Sequence, residues 1–164
     1  MPKTSRERNG LWLVIGMIIG SAVTYYWPAE PAYAETAVVG DKFAMCTANT
    51  LAGNSEAIFV LDMVTGRLMG AAYNTQTGTF TQSYLRNLAA DFNVVENAQY
   101  VMISGSANLR STGGGPPASG VVYVGELTSG MVHMYGFVYA QSPRVTPPRE
   151  MVMIGRFQWR QAFN

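Results

Sequence analysis

The chain has 164 residues, enough for one domain and a targeting segment. Only 13% of the residues are charged and 48% are apolar, so a sizeable core can form, and 17 glycines with 8 prolines favour short strands and tight turns. The net charge is +1 and the charges after residue 34 are scattered. Because phosphate-backbone binding needs a basic stripe, we expect no nucleic-acid partner.

The N-terminal segment has the layout of a membrane-targeting sequence. Residues 1–10 are polar and net basic, and residues 11–27 are uncharged and end in Tyr25, Tyr26 and Trp27. A helix of this length spans roughly 25 Å, a little less than the ~30 Å hydrocarbon core, and its aromatic end suits the headgroup region. The positive-inside rule predicts that residues 1–10 stay in the cytoplasm and that residues 28–164 are exported.

Two interpretations of this segment stay open. As an uncleaved anchor it makes a single-pass protein of the cell membrane. As a signal peptide it is cleaved near Ala34, after the small-x-small triplet 32–34, and leaves a periplasmic or secreted domain. The site lies far from the apolar run for a signal peptide, which favours the anchor.

Residues 28–41 read as a linker, and the exported β-rich domain is predicted over 42–164. Short apolar or alternating runs between turn residues predict its strands. The predicted strands are 42–48, 57–61, 67–73, 79–84, 98–104, 120–127, 131–139 and 151–159. Helical spacing predicts one short helix at 84–92, and loops are predicted at 105–119 and 143–148. The expected fold class is all-β, mainly antiparallel hairpins in a small sandwich, barrel or partial propeller-like sheet, plus one N-terminal hydrophobic helix.

One hairpin pattern occurs twice. Residues 57–68 align with residues 121–132 at a constant offset of 64, and each copy has an acidic residue, Asp62 or Glu126, four positions before a glycine. Such strings resemble the inner hairpin of β-propeller blades. The offset exceeds the ~40–50 residues of a propeller blade, and two copies cannot close a ring, which favours a sandwich or barrel. Oligomers in which each subunit supplies two blade-like units are the alternative.

Three strings, FVLDMVTGRLMGAAYN, SYLRNLAADFNV and VVYVGELTSGMVHMYGF, carry a wider resemblance. They are similar to a set of uncharacterised bacterial envelope proteins with a basic start, an apolar segment, a short linker and a β-rich domain. The resemblance implies export and a coherent fold, and it implies no activity.

Candidate reactive residues are few. Cys46 is the only cysteine, so an intrachain disulfide is impossible, and it is expected to be a small buried hydrophobe or to form an intermolecular disulfide. His133 is the only histidine and is expected to be a packed or hydrogen-bonded strand residue. Metal sites normally need several His, Cys or carboxylate ligands, so no metal, cofactor or catalytic site is predicted. Asp62 and Glu126 are expected to stabilise turns.

The best functional candidates are aromatic residues on two strands. Tyr135, Phe137 and Tyr139 alternate along one strand, as Phe157 and Trp159 do along the last one. Tyr and Trp are enriched at interface hot spots, so these five residues are the predicted interaction surface. The expected function is a non-catalytic, membrane-tethered or exported interaction module that binds a protein partner or itself. The alternative is a small-ligand domain, for example for carbohydrate, that uses the aromatic strand faces.

Overall fold

The computed structural model describes residues 12, 14–22, 37–51, 55–94, 97–111 and 115–160. The chain divides into two units, Met1–Ala34 and Glu35–Asn164. In the first unit residues 14–22 are helical and exposed, and the rest of the predicted membrane segment 11–27, apart from Trp12, lies outside the described residues, as does Ala34. Within the described residues no helix has both the length and the hydropathy that a bilayer crossing requires.

The second unit is mostly β-strand, so the prediction of a mainly antiparallel β-domain is confirmed. It contains ten strands and one short helix, Leu88–Phe92, among its described residues. The strands are β1 (Ala37–Val39), β2 (Phe43–Leu51), β3 (Ser55–Asp62), β4 (Arg67–Asn74), β5 (Thr79–Asn87), β6 (Tyr100–Ser106), β7 (Pro117–Glu126), β8 (Met131–Val138), β9 (Arg149–Glu150) and β10 (Val152–Gln158).

The strands form two sheets. Sheet A has the order β1-β2-β3-β4-β5-β9, and sheet B has the order β10-β8-β7-β6. All neighbours are antiparallel except β5 and β9, which are parallel. Each sheet therefore contains a four-stranded antiparallel meander, β2–β5 in sheet A and β6–β7–β8–β10 in sheet B, where the chain passes through β9 of sheet A between β8 and β10.

Three hairpin turns share one construction. The first strand of each hairpin ends in a residue whose polar side chain accepts hydrogen bonds from the backbone N–H groups two and three residues later. A glycine four positions after this residue has a positive φ and donates its N–H to the carbonyl of the same residue. Glycine adopts this conformation without steric cost. The pairs are Asp62 with Gly66, Asn74 with Gly78, and Glu126 with Gly130. The predicted turn roles of Asp62 and Glu126 are confirmed.

The core lies between the inner faces of the two sheets. Strand β2 lies against β6 and β7 and presents small buried side chains there, Ala44, Cys46 and Ala48. Strands β2 and β7 approach each other closely at Gly120, where an added Cβ would lie 2.5 Å from the backbone of Asn49. Larger rings fill the core on β3, β5 and β8, where Phe59, Tyr84 and Phe137 are in mutual contact.

The prediction of a helix over 84–92 was wrong for residues 84–87. Residues 84–87 continue β5, and the helix begins only at Leu88, after the side chain of Asn87 caps it by accepting the Ala90 N–H at 3.3 Å. Tyr84 faces the core as a strand residue, whereas Leu85 is 45% exposed on the opposite face. Strand β1 falls within the segment 28–41 predicted as a linker, and β7 begins inside the predicted loop 105–119.

Candidate functional site

The five predicted surface aromatics divide into two groups. Tyr135, Phe137 and Tyr139 are core residues, none more than 3% exposed. The ring of Phe137 meets the ring of Phe59 at 5.0 Å between centroids. The expectation that these three residues lie on a surface is therefore corrected, because sheet A covers the face of β8 that carries Tyr135 and Phe137, and Tyr139 is buried directly after the end of this strand.

Phe157 and Trp159 lie at the free edge of sheet B and are 59% and 44% exposed. Phe157 stands opposite Val132 of β8 in the register of β10. The row continues across the sheet through Gly125 of β7 to Val101 of β6. Four adjacent strands thus contribute only apolar or glycine positions to this row on the outer face of sheet B.

A groove of about 570 Å³ runs along this row. Its floor is low at Gly125, where an added Cβ would lie 3.1 Å from Val101 Cγ2 and 3.6 Å from Val132 Cγ2. Its walls are large apolar side chains for the most part. The lining residues are Gln99, Tyr100, Val101, Gly125, Glu126, Leu127, Val132, Phe157 and Trp159.

The C-terminal end of β10 is held on the turn between β7 and β8. The carbonyl of Gly130 accepts the N–H of Trp159 at 3.0 Å and the N–H of Arg160 at 3.3 Å. The guanidinium of Arg160 donates to the carbonyl of Leu127 at 3.1 Å and lies 5.5 Å from the Trp159 ring centroid. These contacts place Trp159 and Arg160, two residue types enriched at binding hot spots, side by side at the rim of the groove.

Glu126 also lines the groove, but the residue is fully buried and its carboxylate oxygens are bonded to the backbone. It accepts the N–H groups of Gln99, Thr128 and Ser129. Burial opposes its ionisation, yet these hydrogen bonds together hold the pKa of Glu126 below its ordinary value. The groove therefore offers mainly apolar surface, with Gln99 as a further polar residue in its lining.

His133 belongs to a different, enclosed cluster. Its Nδ1 lies 3.2 Å from the hydroxyl of Tyr135, which donates to Asp91 at 2.9 Å. Since that hydroxyl has one proton, Nδ1 of His133 is the donor in their contact. Asp91 also accepts two 2.7 Å bonds from Arg86, whose Nη1 donates to Glu150 at 2.6 Å and to the carbonyl of Met151 at 3.2 Å. The network joins β5 and β9 of sheet A to β8 of sheet B through the short helix.

The ring of His133 is fully covered. It stacks on Phe92 with centroids 4.0 Å apart and planes 8° from parallel, and burial lowers its pKa. Burial also raises the pKa of Tyr135 far above its ordinary value, with the hydrogen bond to Asp91 acting in the same direction. The prediction that His133 is a packed, hydrogen-bonded strand residue is confirmed. Cys46 is buried on β2, as expected of a small hydrophobe. In the described part of the chain no three His, Cys, Asp or Glu side chains are grouped to hold a metal ion.

No family model, curated protein or solved structure matches this chain. The candidate site accordingly rests on residues and geometry. Sequence reasoning identified Phe157 and Trp159 but missed Val101 on β6, Val132 on β8 and Leu127 in the turn between β7 and β8. The alternation that places Val101 and Ile103 on the same side of β6 could have indicated this apolar outer face, since both side chains point away from the core.

Proposed function

We propose that the chain is a membrane-tethered or exported, non-catalytic interaction module that binds a protein surface at the groove on sheet B. The observation that carries the proposal is the pair Phe157 and Trp159, exposed beside an apolar row that crosses four strands. Exposed contiguous apolar surface of this kind marks interaction sites in soluble domains. Residues 11–27 supply the membrane attachment in this proposal, and cleavage near Ala34 is its secreted variant.

The composition of the groove supports a protein partner. A polar ligand such as a sugar needs several convergent donors and acceptors, and the oxygens of Glu126 are already bonded to the backbone. A protein side chain inserted over Gly125, between Val101 and Val132, needs no such partners. The aromatic and arginine rim at Trp159 and Arg160 fits the composition of interface hot spots.

A small-ligand site is the second candidate function. The volume of about 570 Å³ falls within the ~300–1,000 Å³ of ligand pockets, and Trp159 supplies an exposed ring face of the kind that sugars stack on. Under this candidate, soluble glycan fragments perturb the fluorescence of the full chain, and Trp159→Phe reduces the perturbation.

Site-specific photo-cross-linking tests the protein-binding proposal. The full chain is expressed in bacterial cells with a benzophenone amino acid at Phe157 or, as control, at Val145, an apolar loop residue that is 77% exposed. We expect a discrete protein adduct at Phe157 and none at Val145. Adding Trp159→Ala should weaken the adduct about 30-fold, the equivalent of a ~2 kcal/mol hot spot. Equal labelling from both positions, or none from Phe157, contradicts the proposal.

The membrane attachment is tested separately by fractionation and N-terminal sequencing. A chain that begins at Met1 in the membrane fraction supports the anchor, and a mature chain that begins at Glu35 supports cleavage. Full-length chain in the soluble cytosolic fraction contradicts both.

A further inference from the structure

The two meanders are related by more than their turn sequences. In the hairpin β3–β4 Leu61 pairs with Leu68, and at the equivalent positions of β7–β8 Gly125 pairs with Val132. The offset of 64 residues found in the sequence therefore superposes the strand register of one hairpin on that of the other. The hairpin β7–β8 of sheet B therefore repeats the construction of the hairpin β3–β4 of sheet A.

The repeat reverses which face is covered. Phe59 and Leu61 of β3 face the core between the sheets and are fully buried. Their equivalents in β7, Tyr123 and Gly125, belong to the outer face of sheet B, next to the exposed residues Ile103 and Val101.

The same reversal holds for the other face. Val60 and Met69 lie on the outer face of sheet A and are 37% and 62% exposed. Their equivalents in sheet B, Val124 and His133, are buried in the core between the sheets. Each outer face is thus the counterpart of a face that is covered inside the chain. A two-fold relation between the sheets would instead have buried equivalent faces against each other.

Each outer face carries an apolar row. An antiparallel sheet with one face in water normally alternates apolar and polar residues. Here a row across four strands of sheet A is apolar on the outside, as the row of the groove is on sheet B. The sheet A row is Met45, Val60, Met69 and Leu85.

We propose that copies of this chain pack head to tail, with the outer face of sheet B of one copy on the outer face of sheet A of the next. The contact repeats the interface that already joins the two sheets within one chain. It rests on the proposed function, because it names a second copy as the partner of the groove face. Such a contact is heterologous and leaves one free face at each end, so it builds a ring or an open array.

The internal interface specifies which residues meet. Phe59 of sheet A contacts Phe137 of sheet B with ring centroids 5.0 Å apart. At the offset of 64 residues, Phe59 of sheet A corresponds to Tyr123 of sheet B, and Phe137 of sheet B corresponds to Tyr73 of sheet A. The equivalent pair between two copies is therefore Tyr123 of one copy and Tyr73 of the next. Tyr73 is 39% exposed and Tyr123 is partly buried, and both are aromatic like the residues they replace.

Cysteine cross-linking of the full chain in mild detergent tests this pairing. The only native cysteine, Cys46, is buried, so the unmodified chain serves as the background control. Tyr73→Cys and Tyr123→Cys chains are treated with a short bis-maleimide, singly and mixed. We expect covalent dimers in the mixture and none in either single variant. Met69→Lys should reduce the native mass, whereas Val64→Lys, at an exposed turn position, should leave it unchanged.

Each other outcome overturns the head-to-tail contact. Cross-linking of Tyr123→Cys alone indicates a two-fold dimer of sheet B faces. No cross-link in the mixture, with an unchanged native mass for Met69→Lys, shows that the outer face of sheet A is not an interface. In that case an adduct of Phe157 with a different protein still supports the proposed function, and the absence of any adduct removes both proposals.

Discussion

Arg86 binds two carboxylates in different surroundings, which allows a controlled test of the network between the sheets. Asp91 is 11% exposed and forms two bonds with the guanidinium, while Glu150 is 68% exposed and forms one. We compare Asp91→Asn with Glu150→Gln, two substitutions that remove one negative charge each and keep the shape of the side chain.

The expected costs follow from burial. Removing one partner of a fully buried ion pair costs about 3–5 kcal/mol. Arg86 is 19% exposed and keeps Glu150 in the Asp91→Asn chain, so we expect a loss of roughly 2–3 kcal/mol in the free energy of unfolding. Glu150→Gln removes an exposed pair and should cost at most ~1 kcal/mol.

Urea unfolding of the full chain in detergent, followed by circular dichroism, measures both losses. Asp91→Asn should lower the midpoint clearly, and Glu150→Gln should shift it little. Raising the salt concentration should weaken only the Glu150 contribution, because exposed pairs are screened. Equal losses for the two variants would refute the assignment of the stabilising role to the buried contact.

Three further predictions concern turns and titration. Gly66→Ala should destabilise the fold by more than Gly78→Ala, measured by thermal unfolding. Both glycines have a positive φ, but an added Cβ at Gly66 lies 2.9 Å from Ala89, whereas at Gly78 its nearest neighbour is the Tyr73 hydroxyl at an ordinary contact distance of 3.7 Å. Burial lowers the pKa of His133, so the unfolded chain binds a proton at this residue before the folded chain does as the pH falls below about 6.5. The free energy of unfolding should therefore decline below this pH in the native chain but not in the His133→Phe chain. Glu126, whose pKa is held below 4.5, stabilises the fold above that pH, and Glu126→Ala should remove about 2–3 kcal/mol at neutral pH, with a loss near zero excluding its turn role.

Local chemistry made the turns and most strands predictable. An acidic residue followed four positions later by glycine is a self-contained signal, because the side chain bonds to backbone only two and three residues away. The pattern at 84–92 misled because Leu85, Leu88 and Phe92 suit a helix face, while pairing of β5 with β4 extends the strand to Asn87. Hydrogen bonds to a neighbouring strand are not encoded in the local spacing.

The sequence alone determined the β-rich class, the turn positions and the packed state of His133, and it predicted Phe157 and Trp159 as interaction residues. Only the tertiary structure decided which face of each strand is covered, and it moved Tyr135, Phe137 and Tyr139 into the core. It also joined Asp91 to Tyr135, which are 44 positions apart in the chain. Alternation along a strand defines two faces, but the identity of the buried one depends on what packs against it, which is a property of distant parts of the chain.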